Sequence, residues 1–311
     1  MSMRAVVQAW AKVNLDLRIL AREASGFHQL ETIFLRISLA DQVEVQVARG
    51  TGTSLQCTPP VDVPDARNLA WRAADAYRTA AQWPDAAHAI AITIAKHIPT
   101  GGGLGGGSAD AGAVLRALNA LNPHPLPPHA LLTLAATLGA DVPFLTGEVA
   151  CALAWGRGER MLALPPLPPR TVHLALFERG VNTAEAYGAL AAARADGGVV
   201  THGATMHTIA SLHDWTSLAS EAGNDFEAPV FAQRADVGRV HADWCAAAPA
   251  ALVRMSGSGA TVFAIADAAQ AAALADVAAT WAPSAGVRHL QVESVAAVPP
   301  VVILSPASGS R

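Results

Sequence analysis

The run IPTGGGLGGGSADAGAVL, residues 98–115, places six glycines in seven positions directly before an Ala/Leu-rich stretch of helical character. Glycine loses more backbone entropy on folding than any other residue, so such a run is kept where φ must be positive or where another group must approach the main chain closely. Ahead of it, Ile90, Ile92 and Ile94 alternate as a strand ending near Pro99, and behind it the pattern predicts a helix over 108–121. A strand, a glycine loop and a helix N-terminus in that order present backbone N–H groups suited to a di- or triphosphate. A flexible linker is the plain alternative, but linkers are Ser/Gly/polar and are not lodged between an alternating strand and a Ser-initiated helix.

Three phosphate-binding patterns compete for the loop. Walker A needs a lysine beside Ser/Thr at the loop end, and Gly107-Ser108 has none. Gly101, Gly103 and Gly106 satisfy GxGxxG, yet a dinucleotide site also wants an acidic residue about 20 positions on for the ribose hydroxyls. Residues 118–129 carry no carboxylate. A protein-kinase loop lies between two strands and is followed by VAIK, HRD and DFG elements, none of which occurs here.

Composition narrows the function further. A chain of 311 residues exceeds the usual single domain, so two domains sharing one cleft are expected. The 52% hydrophobic share comes with only 5% aromatics, which points to Ala-rich packed helices. No apolar run reaches the roughly 18 residues of a membrane helix. Gln8, Lys12, Asn14, Asp16 and Arg18 interrupt any signal-peptide core, so a cytoplasmic location is expected. Cys57, Cys151 and Cys245 form no CxxC pair and fit reduced thiols. With a net charge of −4 and no Lys/Arg run, nucleic acid is not an expected partner, and the ligand should be a small molecule.

Along the chain, Val13, Leu15, Leu17 and Ile19 alternate with Asn14, Asp16 and Arg18, the pattern of a strand with one buried face. Val43, Val45 and Val47 repeat the pattern after a turn expected at Asp41. Asn68 is placed to cap a helix running through Trp71, Ala74 and Tyr77. A second helix should run from the Pro127-Pro128 start to Leu138, closed by Gly139, and 149–155 with 161–164 reads as a hairpin around Gly156-Arg157-Gly158. The cluster Pro165, Pro166, Pro168, Pro169 sets the expected boundary between domains 1–165 and 166–311. Beyond it the pattern predicts a strand over 171–177, a helix over 183–194 and a helical region over 206–248. A strand over 252–255, a turn over 256–259, a strand over 261–266, an Ala-rich helix and a strand over 287–292 follow, and SPASGSR reads as a frayed end. The class is α+β, without internal repeats.

The loop PTGGGLGGGSAD resembles the second motif of the GHMP small-molecule kinases, which hold ATP phosphates with it. AWAKVNLDL with GFH a little later, LGADVPFLTGEVACALAWGRGE in the middle and RMSGSGATVFAIA near the end extend the resemblance over nearly the whole chain in matching order. AKVNL with GADVPF narrows it to the branch that acts on a cytidyl diphosphate sugar alcohol. The resemblance implies a two-domain GHMP kinase fold, with a ribosomal-protein-S5-domain-2-like N-terminal part, a ferredoxin-like α/β sandwich C-terminal part and the active site in the interdomain cleft. It implies ATP-dependent phosphorylation of the 2-hydroxyl of that substrate.

Phosphoryl transfer to an alcohol demands charge neutralisation, in-line positioning and a group that accepts or orients the hydroxyl proton. Lys12 and Asp141 match the family's catalytic positions. On the residues alone, Lys12 reads as a solvent-facing strand lysine and Asp141 as a turn cap. The family's ATP site maps onto Pro99, Gly101, Gly102, Gly103, Leu104, Gly105, Gly106, Gly107, Ser108 and Ala109, with Asn68 and Lys96 near the adenosine. Mg²⁺ is expected to arrive with ATP, held chiefly by phosphate oxygens and water, with Ser108 as an additional contact. Asn14 and His28 match substrate contacts, and Tyr187 in GVNTAEAY matches an aromatic that stacks on cytosine. Phe27 stands where the family usually has tyrosine, which keeps the stacking face and removes a hydroxyl. Gly257, Ser258 and Gly259 of SGSGAT are expected to line the cleft from the second domain as a second anion nest. Asn224-Asp225-Phe226-Glu227 is read as an interdomain or packing segment, and monomer or homodimer is left open.

Overall fold

Two β-sheets organise the chain, and a computed structural model describes residues 2–24, 26, 28–83, 88–195, 212, 214–281 and 286–304. The first sheet is built on a long antiparallel hairpin of β1 (Met3–Arg22) and β2 (His28–Ala48). β3 (Thr53–Thr58) and β4 (Ala89–Ala95) lie parallel to each other, and the crossover this requires is supplied by α1 (Leu69–Ala80), whose first turn Asn68 caps through Ala70 N–H at 2.9 Å. The glycine loop then enters α2 (Gly106–Leu121), followed by α3 (Pro128–Ala136) and the single turn α4 (Val142–Thr146). A hairpin of β5 (Cys151–Gly156) and β6 (Arg160–Ala163) joins the free half of β2.

Eleven of the sixteen α2 residues are buried, so this helix is apolar around its circumference and is the axis of the first core. It starts two residues before Ser108, at a cap formed by Gly105 with φ +73°, and no side chain caps it. Its first N–H groups therefore keep their hydrogen-bonding capacity for a ligand.

The expectation of one buried face on β1 fails. Lys12, Asn14, Asp16 and Arg18 are as buried as the apolar residues between them, because the glycine loop packs on Lys12 and segments of the second half meet Asn14, Asp16 and Arg18, covering the face that an isolated hairpin would expose to water. Nor does the chain turn at Asp41, which lies inside β2 where the partner strand changes from β5 to β4. The Asp41 carboxylate accepts backbone N–H bonds from His97 and Ile98. Turn-type chemistry is present, but the donors come from a distant segment.

The second sheet is antiparallel, in the order β10 (Val287–Glu293), β7 (Thr171–Phe177), β9 (Val262–Ala266), β8 (Leu252–Met255). The helices of this half are α5 (Thr183–Ala195), α6 (Trp215–Glu221), α7 (Glu227–Gln233), α8 (Ala235–Ala247) and α9 (Ala268–Ala279). β9 is buried on both faces: Phe263 and Ile265 join the first core, while Val262, Ala264 and Ala266 join a second core with α8 and α9. That is why its sequence reads as a continuous apolar run.

The helical region expected over 206–248 resolves into α6, α7 and α8, and 206–211 and 213 lie outside the described residues. Helix gives way at 222–226 because that backbone pairs with β1: Leu17 N–H donates to Gly223 O at 2.8 Å and Asp225 N–H to Leu17 O at 3.0 Å. A strand absent from the sequence reading, β11 (Val302–Leu304), returns to pair with β1 in the first sheet. The tail 305–311 lies outside the described residues.

Candidate active site

The glycine loop borders a cavity of about 540 Å³ lined from both halves of the chain. Pro99 and 101–108 form one wall, Lys12, Asn14, Thr32 and Phe34 of the hairpin lie beneath, and Asp141, Tyr187, Gly257 and Ser258 complete it. Three successive carbonyls of the loop are engaged. Gly102 O accepts from Thr261 N–H at 3.2 Å, Gly103 O from the Ser256 hydroxyl at 2.9 Å, and Leu104 O from Lys12 N–H at 3.0 Å. Because trans peptide units point their N–H opposite to their C=O, the N–H groups of Gly103, Leu104 and Gly105 face away from those partners. Together with the uncapped start of α2 they form a cradle for an anionic ligand. Only glycine fits at 103: its φ is +79°, and a Cβ there would sit 2.1 Å from Ser256 O.

Lys12 and Asp141 meet in this cavity, with Lys12 Nζ 3.2 Å from Asp141 Oδ2. The lysine side chain is 4% exposed and the aspartate 29%, so the carboxylate is the member that faces the space. Asp141 occupies the N-cap position of α4, but its side chain makes no capping bond and is left for Lys12. Lys12 Nζ also donates to Asn14 Oδ1 at 2.7 Å; Asn14 Nδ2 donates to Thr32 Oγ1 at 2.8 Å, and Thr32 Oγ1 donates to Asp16 O at 2.6 Å. Thr32 has no counterpart in the sequence reading. Its signal was a polar residue between Leu30 and Phe34 on one face of the strand.

A second cavity of about 1040 Å³ shares Leu30, Ala140, Thr183 and Tyr187 with the first and extends to His28 and Arg157. The His28 and Tyr187 rings stack with centroids 4.3 Å apart and planes at 21°, and Phe226 meets Tyr187 edge-on at 4.9 Å. Burial, with Arg22 and Arg194 nearby, lowers the pKa of His28. Burial, followed by the Asp141 charge, raises that of Tyr187. Phe27 lies outside the described residues.

The other expected site residues divide. Lys96 lines the first cavity while its ammonium is paired with Asp41 and, at 2.6 Å, with Asp110. Burial outweighs Lys96 and pushes Asp110 up to about 7. Asn68 serves as the α1 cap beside the cavity residue Leu69, and Ala109 is packed inside α2 with its N–H on Gly105 O. Gly257 and Ser258 line the cavity, whereas Gly259 stands behind them with Met255 Sδ against the face where a Cβ would be. Asn224 Nδ2 donates to Met255 O at 2.7 Å and Gly257 O at 2.8 Å, tying that turn to the segment paired with β1. No cluster of three metal-ligating side chains occurs among the described residues, nor is any helix there long and apolar enough to cross a membrane.

Residues 68–148 match the model of the GHMP kinases N terminal domain, and 208–283 that of the GHMP kinases C terminal domain. A 4-diphosphocytidyl-2-C-methyl-D-erythritol kinase from Solibacter usitatus is 38% identical over 267 residues, covering 83% of this chain and 80% of its own. A Synechococcus kinase of the same name is 39% identical over 269 residues, covering 83% of each. The crystal structure of a 4-(cytidine 5'-diphospho)-2C-methyl-D-erythritol kinase matches with TM-score 0.70 and 33% identity, over 93% of this chain and 98% of that one. A homoserine kinase from Cytophaga hutchinsonii matches with TM-score 0.70 at 17% identity over 97% of each chain, a likeness of fold alone. The chain belongs to the GHMP kinases, with their two-domain α+β fold. Within that family its sequence groups it with the 4-diphosphocytidyl-2-C-methyl-D-erythritol kinases.

Proposed function

We propose that the protein transfers the γ-phosphoryl group of ATP to the 2-hydroxyl of 4-diphosphocytidyl-2-C-methyl-D-erythritol, giving the 2-phosphate and ADP, in the non-mevalonate route to isoprenoid precursors. The observation that carries this reading is the Lys12–Asp141 pair, 3.2 Å apart, in a cavity walled by the glycine loop. Identity above one third to kinases of that substrate supports the choice of acceptor.

ATP phosphates lie against the N–H groups of 103–105 and the start of α2. Asp141 accepts or orients the proton of the acceptor hydroxyl, while Lys12 holds Asp141 and offsets charge developing on the transferred group. In a loose transition state, positioning outweighs deprotonation. Ser108, which lines the cavity at the start of α2, is the protein group we assign beside an Mg²⁺ ion that would arrive with ATP and would neutralise phosphate charge when bound. The adenosine lies toward Lys96 and Asn68. The cytidyl end occupies the second cavity, where Tyr187 offers a ring face and His28 an imidazole edge. We set the boundary of the ATP-binding unit at 165/166, with β11 crossing back to its sheet, and place the enzyme in the cytoplasm.

The test is ADP release by the purified chain with ATP, Mg²⁺ and 4-diphosphocytidyl-2-C-methyl-D-erythritol, beside mevalonate and homoserine. Turnover should occur with the cytidyl substrate alone, and Asp141→Asn should lower kcat by about 10²–10⁴-fold. ADP release with another alcohol, and none with this one, overturns the substrate.

A further inference from the structure

Arg36 is 1% exposed, and its guanidinium finds only carbonyl oxygens: Phe144 O at 2.6 Å, Gly147 O at 2.8 Å and Val149 O at 3.0 Å. Among the described residues no carboxylate lies within ion-pair distance of it. Burial, with Arg116 nearby, pushes its pKa down to about 9, which leaves it charged at neutral pH. A buried cation whose hydrogen bonds go to main-chain carbonyls, with no counter-charge beside it, is costly, so its acceptors indicate what it does.

All three acceptors lie at or just beyond the C-terminal end of α4, the single turn that begins at Asp141. Leu145 N–H closes that turn on Asp141 O at 3.1 Å. A cation there completes carbonyls that the helix leaves open. On its other side α4 is pressed against α2 at Gly112, where a Cβ would sit 2.7 Å from Leu145 C and O. One turn fixed at its end and flank passes any displacement directly to its first residue.

Arg36 also reaches the other half of the catalytic pair. It is the cross-strand partner of Lys12 in the β1–β2 ladder. The Phe34 and Phe144 rings stack at 5.0 Å; Lys12 Nζ lies 5.6 Å from the Phe34 centroid and Arg36 Cζ 5.0 Å from that of Phe144. Each cation is thus seated on one ring of a stacked pair.

We propose that Arg36 is a positioning residue for phosphoryl transfer, setting Asp141 against Lys12 through the C-terminal carbonyls of α4 and the Phe34–Phe144 stack. This rests on the phosphotransferase reading above. A misplacement of about 1 Å can cost a hundred-fold in rate, and the loss falls on kcat because Arg36 touches neither substrate.

The test uses the full chain, with Arg36→Met, Arg36→Lys and Arg36→Ala assayed beside wild type for kcat and both KM values, and folding checked by near-UV circular dichroism. Arg36→Met should lose roughly ten- to a hundred-fold in kcat with both KM values within about twofold. Arg36→Lys should retain part of the rate, and millimolar guanidinium, but not ammonium, should restore kcat to Arg36→Ala. If Arg36→Met does not fold, the Lys variant and the guanidinium rescue decide. Folded variants with wild-type kcat, a loss confined to KM, or equal rescue by ammonium would overturn the proposal. Wild type without turnover on this acceptor overturns the substrate instead, and the same variants are then read on whichever of mevalonate or homoserine supports ADP release.

Discussion

Lys12 owes its aim to a relay that ends in a main-chain oxygen. Asn14 can present Oδ1 to the lysine only while its amide nitrogen is occupied by Thr32, and Thr32 is fixed by Asp16 O. Thr32→Val keeps the shape and removes both bonds, leaving Asn14 free to turn. One such bond is worth about 1 kcal/mol, so kcat should fall roughly five- to tenfold, with the KM for ATP unchanged in steady-state assays. Whereas Lys12 and Asp141 are marked only by the resemblance to family motifs, the glycine run was legible in the residues themselves because its pattern is local. Thr32, Arg36 and Asp41 were not: they sit in the apolar alternation of β2, and their partners lie up to about a hundred positions away or on another strand. Local spacing holds no record of such contacts.

At the scale of elements, the loop 101–107 and the segment 256–261 form one device, since the second half of the chain holds two of the three carbonyls, those of Gly102 and Gly103, that orient the first half's N–H groups. Gly103→Ala meets a backbone oxygen at 2.1 Å in a left-handed conformation. Its KM for ATP should rise at least about tenfold, because even one lost charge-assisted contact is worth 1.5–3 kcal/mol. Ser256→Ala, which strips one carbonyl of its donor, should show a smaller rise of the same kind. The second sheet carries a separate pH dependence. His173, in β7, meets His289, in β10, at 3.0 Å, and burial followed by the His289 charge lowers its pKa to about 4. Between about 4 and the ordinary 6.5 the unfolded chain binds a proton that the folded chain refuses. Stability from this pair is therefore complete above pH 6.5 and is lost as pH falls toward 4. Denaturant unfolding at pH 7 and pH 4.5 should show a smaller acid loss in His173→Leu/His289→Leu than in wild type.

Across the whole molecule, the two halves are joined by buried charge. Asp225 accepts from Ile19 N–H at 2.8 Å and Arg194 at 2.9 Å, and lies 3.8 Å from Arg18, whose other acid is Asp16 at 3.0 Å. Removing one partner from such a cluster leaves a buried cation short of its counter-charge, so Asp225→Ala should cost about 3–5 kcal/mol in urea unfolding. The sequence marks Asn224 to Glu227 as an interdomain or packing segment, but local pattern does not show that its contact with β1 turns Asp16 and Arg18 from surface residues into interior ones. The return of β11 to the edge of β1 adds a temporal consequence. The ribosome releases β1 roughly 280 residues before its outer neighbour exists, an interval on the order of 15–60 s at ordinary elongation rates. For that time the nascent chain presents an open strand edge to its surroundings. Truncations that end before residue 302 would make the exposure permanent, and aggregation during synthesis is the hazard they would reveal.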